Sequence, residues 1–169
     1  ILLSACCRCL FVAKSEVEGW TLFGQGAKLY QHIFVERRRA HSMMETRNAV
    51  VERLESGHNV CIFLEGTSSG GIEVLPFRSS FIQPAIDAGA PVVPVAVTWS
   101  ARSPKIDVSE DVAYWKDHVF FPHLFRHLGL RGIRANVVFC DPVDSAGANR
   151  KELAEVVRGR VVEAWKGGK

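Results

Sequence analysis

Short apolar runs alternate along this chain with stretches in which apolar residues return every three or four positions. The run CLFVA at 9–13 predicts a buried strand, EGWTLFGQGAKLYQ at 18–31 a glycine-interrupted helix, and HIFV at 32–35 a second strand. Ser42 and Glu45 have capping-box spacing: the hydroxyl accepts the third helical N–H and the carboxylate reaches back. The helix they open carries Met43, Val50, Val51 and Leu54 on one side, and Gly57 supplies a left-handed stop. NVCIF at 59–63 predicts a third strand, and SFIQPAIDAGA at 80–90 a short helix with Pro84 in its first turns. PVVPVAV at 91–97 reads as a fourth strand whose prolines suit a strand start or an edge. IRANVVFC at 133–140 is a fifth, followed by an amphipathic helix with Leu153, Val156, Val157, Val161, Ala164 and Trp165 inward.

This alternation predicts an α/β fold with a mostly parallel central sheet flanked by helices. Open sheets of that kind bind ligands beyond the carboxyl ends of their strands. Arg37 stands just past the second strand, leading the run Arg37, Arg38 and Arg39, and Glu65 stands just past the third. The expectation is that strands two, three and four are sheet neighbours, with Arg37, Glu65 and Arg78 converging on one cleft.

Composition narrows the class. At 169 residues, 47% hydrophobic and 23% charged, the chain suits one globular domain over 1–169. A net charge of +3 fits an anionic partner without requiring one. No basic stripe interleaved with aromatics is present, which argues against nucleic acid. No apolar run reaches the length of a membrane span, and residues 1–10 lack a basic leader region. Five cysteines, three of them at Cys6, Cys7 and Cys9, lack zinc-knuckle spacing and read as reduced core thiols. His123 and His127 have one-turn spacing, but the intervening LFR lacks the glutamate of a zinc-protease helix, so packing is expected and no metal site is assigned. FFPHLF at 120–125 reads as core or as a membrane-facing apolar patch, with Asp117 and His118 just before it as polar residues able to line a site.

The stretch NVCIFLEGTSSGG carries the chemistry. An apolar strand opens onto a loop with one carboxylate, three hydroxyls and several glycines. Glycines let backbone approach a ligand, and hydroxyls with N–H groups hold anionic oxygens. By itself Glu65 has a plain alternative as a turn cap, and Arg37 to Arg39 as a solvated charge run.

The blocks FVAKSEV, IFVER, FLEGTSSGG, LPFRSS and APVVPVAV, in that order, resemble the glycerophosphate and lysophosphatidic acid acyltransferases. The resemblance covers nearly the whole chain and implies a glycerol-3-phosphate acyltransferase-like fold. It implies transfer of a fatty acyl group from acyl-CoA or acyl carrier protein to the free hydroxyl of a lysophospholipid such as 1-acylglycerol-3-phosphate, with no further cofactor. It also implies work at a membrane surface, on its cytoplasmic face. Arg37 matches the arginine ending the family's second block, and Glu65, Gly66 and Thr67 match its third. Two departures stand out: Leu64 replaces the usual proline, and Ser68 the usual arginine. Arg78 is positioned to supply the missing cation, so Arg37 and Arg78 are assigned to the acceptor's anionic headgroup. Glu65 is assigned to acceptor hydroxyls or to holding the loop through backbone N–H groups, with Gly66, Thr67 and Ser68 shaping it. Versions bearing Ser or Thr also resemble enzymes that acylate lyso-ornithine lipids, which is the alternative acceptor.

The resemblance implies that the family's first block, a His and an Asp separated by four residues, supplies the general base. No histidine precedes Phe11, and His41 is followed by Thr46 where the Asp would stand. No catalytic residue is therefore assigned within the chain. The pair is expected upstream of Ile1, the chain being an acyltransferase domain shortened at its N-terminus and inactive alone. The alternative of another class is a non-catalytic lipid- or acyl-carrier-binding module of the same fold.

Overall fold

The computed structural model describes residues 3, 6–14, 32–35 and 40–168. The helix predicted at 18–31, and Arg37, Arg38 and Arg39, lie outside the described residues. The elements run β1 (Leu10–Lys14), β2 (Ile33–Val35), α1 (Ala40–Glu55), β3 (Val60–Cys61), α2 (Gln83–Asp87), β4 (Val95–Ala101), α3 (Phe120–Gly129), β5 (Ile133–Phe139) and α4 (Arg150–Gly167). They fall into two compact units.

The first unit comprises Ile1–Leu64, Ser79–Ala90 and Asp144–Arg150. Its sheet has the order β2-β1-β3, with both pairings parallel. The second and third strands are thus not neighbours; each flanks β1, with Val12 opposite Ile33 and Leu10 opposite Val60. The Phe11 N–H also donates to Nδ1 of His32 at 3.1 Å. β3 pairs over two residues only, because Ile62 to Leu64 already leave the sheet. α1 begins at Ala40, so Ser42 is a helical residue and not the expected cap. Alanine, the best helix former, lets the helix run back past the serine. Its end is as predicted: Gly57 has φ +81°, and the Gly57 and His58 N–H groups donate back to the carbonyls of Leu54 and Arg53.

Val50 and Ile82 are the most buried apolar side chains of this unit. Met43, expected inward, is half exposed. Arg47 of α1 holds Asp87 of α2 through two hydrogen bonds of 2.5 and 2.8 Å, and this lowers the Asp87 carboxyl's pKa. The fully buried Ser145 hydroxyl lies 2.7 Å from the Ala90 carbonyl and 2.9 Å from that of Ala85, pinning the chain where it leaves α2.

The second unit comprises Glu65–Arg78, Pro91–Val143 and Lys151–Lys169. β4 pairs antiparallel with β5, from Val95 opposite Phe139 to Ala101 opposite Ile133. The fourth strand is therefore a neighbour of the fifth and starts later than the sequence suggested. Pro91 and Pro94 have no N–H to give a ladder; the Pro94 carbonyl still accepts from Cys140, and Val92 bridges Val143. Val74, Ala96 and Val161 form a core with Phe77, Val138 and Trp165 against it. On α4, Ala154 joins Leu153, Val157 and Val161 inside, whereas Val156 is exposed.

Between β4 and β5 the chain makes one wide helical turn at Val108–Val112, capped by the Asp107 carboxylate on the Ser109 and Glu110 N–H groups. It then forms α3, so the apolar run at 120–125 is a helix. The inner side of α3 packs through rings: Phe120 and His123 meet Tyr114, His118 stacks on His123, and His127 meets Trp99 edge-on. Arg126 pairs with the buried Asp111. Among the described residues no helix is long and apolar enough to cross a membrane.

Candidate functional site

The segment Glu65–Arg78 belongs to the second unit, where side chains brace it along its length. The Glu65 carboxylate accepts the backbone N–H of Leu75. Partial burial pushes this carboxyl's pKa above its ordinary value, while that N–H and the charge of Arg158 pull it back. Arg158, reaching from α4, donates from Nε to the Leu75 carbonyl at 3.0 Å and from a terminal nitrogen to the Val74 carbonyl at 2.7 Å. Gly70 lies against the Trp115 ring so closely that a Cβ there would stand 2.7 Å from a ring carbon. Trp115 is itself fixed by its indole N–H to the Ser109 carbonyl at 2.7 Å.

The sequence left Glu65 two roles, toward acceptor hydroxyls or toward backbone N–H groups, and in the folded chain its carboxylate accepts the Leu75 N–H. Gly66 is buried with φ +69°, a left-handed turn that a side chain would strain. Thr67 and Ser68 follow it and are exposed. A loop tied at both shoulders thus leaves Thr67 and Ser68 exposed to solvent. Arg78 is exposed, and among the described residues no hydrogen bond or ion pair joins it to Glu65. Arg37 lies outside the described residues. Asp117 is exposed, and the His118 ring stacks on His123.

Arg158 was not among the residues expected at the site, yet the sequence holds a trace of it. It occupies the row Ala154, Arg158, Val161, Trp165, where an amphipathic helix otherwise turns apolar groups inward. A cation in such a row needs a buried acceptor, and the Val74 and Leu75 carbonyls are those acceptors.

In the first unit an apolar groove encloses about 650 Å³ of space open to solvent. Val12 and Ala13 of β1, Val50 of α1, and Ile62, Phe63 and Phe81 contribute to its walls. Burial disfavours the thiolate at Cys9 and Cys61 nearby. Burial, with the thiols of Cys7 and Cys61 alongside, pushes Cys9 up to about 12, and burial pushes Cys61 to about 11.

Parallel strands flanked by helices in the first unit and a braced glycine-hydroxyl loop in the second are those of an α/β protein. The acyltransferase family profile matches residues 1–98, and the chain belongs to that family. It is 35% identical over 159 residues to a lyso-ornithine lipid O-acyltransferase of Rhodobacter capsulatus, covering 90% of this chain and 56% of that protein. It is 34% identical to the enzyme of the same name from Brucella abortus, covering 95% of this chain and 64% of that one. A 1-acyl-sn-glycerol-3-phosphate acyltransferase of Neisseria gonorrhoeae is 33% identical over 113 residues, 63% of this chain and 44% of that protein. The chain thus spans between about half and two thirds of the lyso-ornithine relatives' length. The crystal structure of the 1-acyl-sn-glycerophosphate acyltransferase PlsC from Thermotoga maritima shares the fold. Its TM-score is 0.63 at 21% identity, covering 95% of this chain and 57% of that one.

Proposed function

We propose that residues 1–169 form the acceptor-binding part of an O-acyltransferase that esterifies the free hydroxyl of a lysolipid. The observation that carries this is the braced loop at 65–78, whose exposed Thr67 and Ser68 follow the family's Glu-Gly turn. The acyl donor is a thioester, acyl-CoA or acyl carrier protein. The acceptor is a membrane lipid, reached at the cytoplasmic face.

An alcohol attacks a thioester only as a base removes its proton, and the resulting oxyanion needs donors already in place. No histidine among residues 1–169 precedes an aspartate at the family spacing, so the base is a His–Asp pair that these residues do not supply. Their contribution is to bind and orient the acceptor.

Lyso-ornithine lipid is favoured over 1-acylglycerol-3-phosphate as the acceptor. The matches to lyso-ornithine enzymes run over 90% or more of the chain, against 63% for the Neisseria phosphate enzyme. Ser68 stands where the phosphate-acceptor pattern has arginine, and an ornithine headgroup brings its own ammonium. Arg78, and Arg37 with it, remains for the acceptor's anionic group.

Kinetics on a form carrying the His–Asp pair test this with both acceptors. Arg78→Ala should raise the acceptor's KM by about one to two orders of magnitude and leave the donor's unchanged, since a charge-assisted hydrogen bond is worth about 1.5–3 kcal/mol. Ser68→Arg should improve use of 1-acylglycerol-3-phosphate and not of lyso-ornithine lipid. Unchanged acceptor kinetics in Arg78→Ala would remove Arg78 from the headgroup site.

A further inference from the structure

We propose that the outward face of α3 docks the second unit on an anionic lipid bilayer. The proposal rests on the reading that the acceptor is a membrane lipid. α3 has two apolar faces. Phe120, His123, Leu124 and His127 point inward, where the ring contacts with Tyr114, His118 and Trp99 occupy them. Phe121, Phe125 and Leu128 follow at steps of four and three, so they share a second face about a third of a turn round the helix. They are 45%, 70% and 70% exposed, and Val119, at the helix entrance, is 68% exposed. Phe121 packs edge-on against Phe120, and Val119, Phe125 and Leu128 grouped beside it at this exposure mark an interaction surface, unlike scattered exposed apolar residues.

Charge selects the partner. From Val119 to Arg134 the sequence carries three arginines and no carboxylate, in a chain with 18 acidic residues. Arg126 is partly occupied by Asp111, whereas Arg131 and Arg134 are exposed just past the helix end, beside the exposed Arg102. Arg102 and Arg134 line one shallow pocket where β4 ends and β5 begins, closed by the Arg102 N–H to the Gly132 carbonyl at 2.9 Å. An apolar stripe for the acyl boundary, with cations at its end for phosphate headgroups, is the pattern of a helix lying in the plane of a membrane interface. A protein partner would need carboxylates opposite these arginines and an apolar groove for the stripe. A bilayer bearing anionic headgroups meets both needs with one surface.

Flotation with phosphatidylcholine vesicles, with or without about 30 mol % phosphatidylglycerol, tests the proposal without any turnover. The protein should float with anionic vesicles at low salt and less at about 0.5 M salt, where the Debye length is only a few ångströms. The pair Phe125→Ser with Leu128→Ser should lower binding about tenfold or more, and circular dichroism should show the fold unchanged. Arg131→Gln with Arg134→Gln should abolish the preference for anionic vesicles. Equal flotation of all variants would overturn the proposal. So would light scattering in which the Phe125/Leu128 pair turns a dimer into a monomer while flotation is unchanged, because the face would then serve a second copy. Acyl transfer to a detergent-dispersed acceptor, measured in parallel with a form carrying the His–Asp pair, keeps the two readings apart. Lost transfer with intact flotation counts against the enzyme reading, and the converse against this surface.

Discussion

Glu65 shows how one residue can keep two roles open in the sequence. A carboxylate opening a glycine-rich loop suits either a ligand hydroxyl or a backbone N–H, and only the folded chain shows Leu75 occupying it. Its raised pKa has a definite consequence for stability. The folded state holds the Glu65 proton more tightly than the unfolded chain, so folding loses stability as pH rises from the ordinary carboxyl value of 4.5 through the raised one. Glu65→Gln keeps the acceptor for Leu75 and removes the charge. Thermal melts across pH 4 to 7 should show that the wild type's loss of stability over this window is smaller in Glu65→Gln, with its melting temperature at neutral pH equal or higher. A wild type and variant with parallel pH profiles would contradict the raised carboxyl.

At the scale of elements, α4 does more than cover a sheet face: through Arg158 it ties the loop at 65–78 by two carbonyls. Arg158→Ala leaves both carbonyls unpaired and should destabilise the protein by about 2–3 kcal/mol, less if water reaches them. Lysine should not restore the loss, because it lacks the planar fork that spans two acceptors. Urea denaturation of the three proteins reads this directly, and equal midpoints would show that the loop is held without Arg158. The elements were legible where periodicity was strong. The strands near Leu10, Ile33 and Ile133, the stop at Gly57 and the final helix all follow from the sequence pattern. Pairing was less legible, since an apolar run carries no mark of its neighbour: β1 takes the place between β2 and β3, and β4 turns antiparallel to β5. α3 went unassigned because both its faces are apolar, which hides a helical period. Of the site, Glu65, Gly66, Thr67 and Ser68 were legible as a loop. Arg158 was not, because its partners are carbonyls some eighty residues away.

For the molecule as a whole, the family is set by the profile over residues 1–98 and by relatives that match along 90% or more of the chain. The acceptor is the open chemical choice, and it turns on charge. A phosphate monoester asks for more cations than a zwitterionic ornithine headgroup, and Ser68 leaves the loop one cation short of the phosphate-acceptor pattern. The base is a separate matter: an activating histidine contributes about 10²–10⁴-fold, so residues 1–169 assayed alone should fall that far below a form carrying the His–Asp pair. The most direct test is the ratio of kcat/KM for lyso-ornithine lipid to that for 1-acylglycerol-3-phosphate, measured with such a form and one acyl thioester. A ratio well above one, about tenfold or more, is the predicted result, the size expected when the two headgroups differ by a single charge-assisted hydrogen bond. A ratio well below one would return the acceptor to the phosphate class, and no transfer to either lipid would contradict the acyltransferase reading itself.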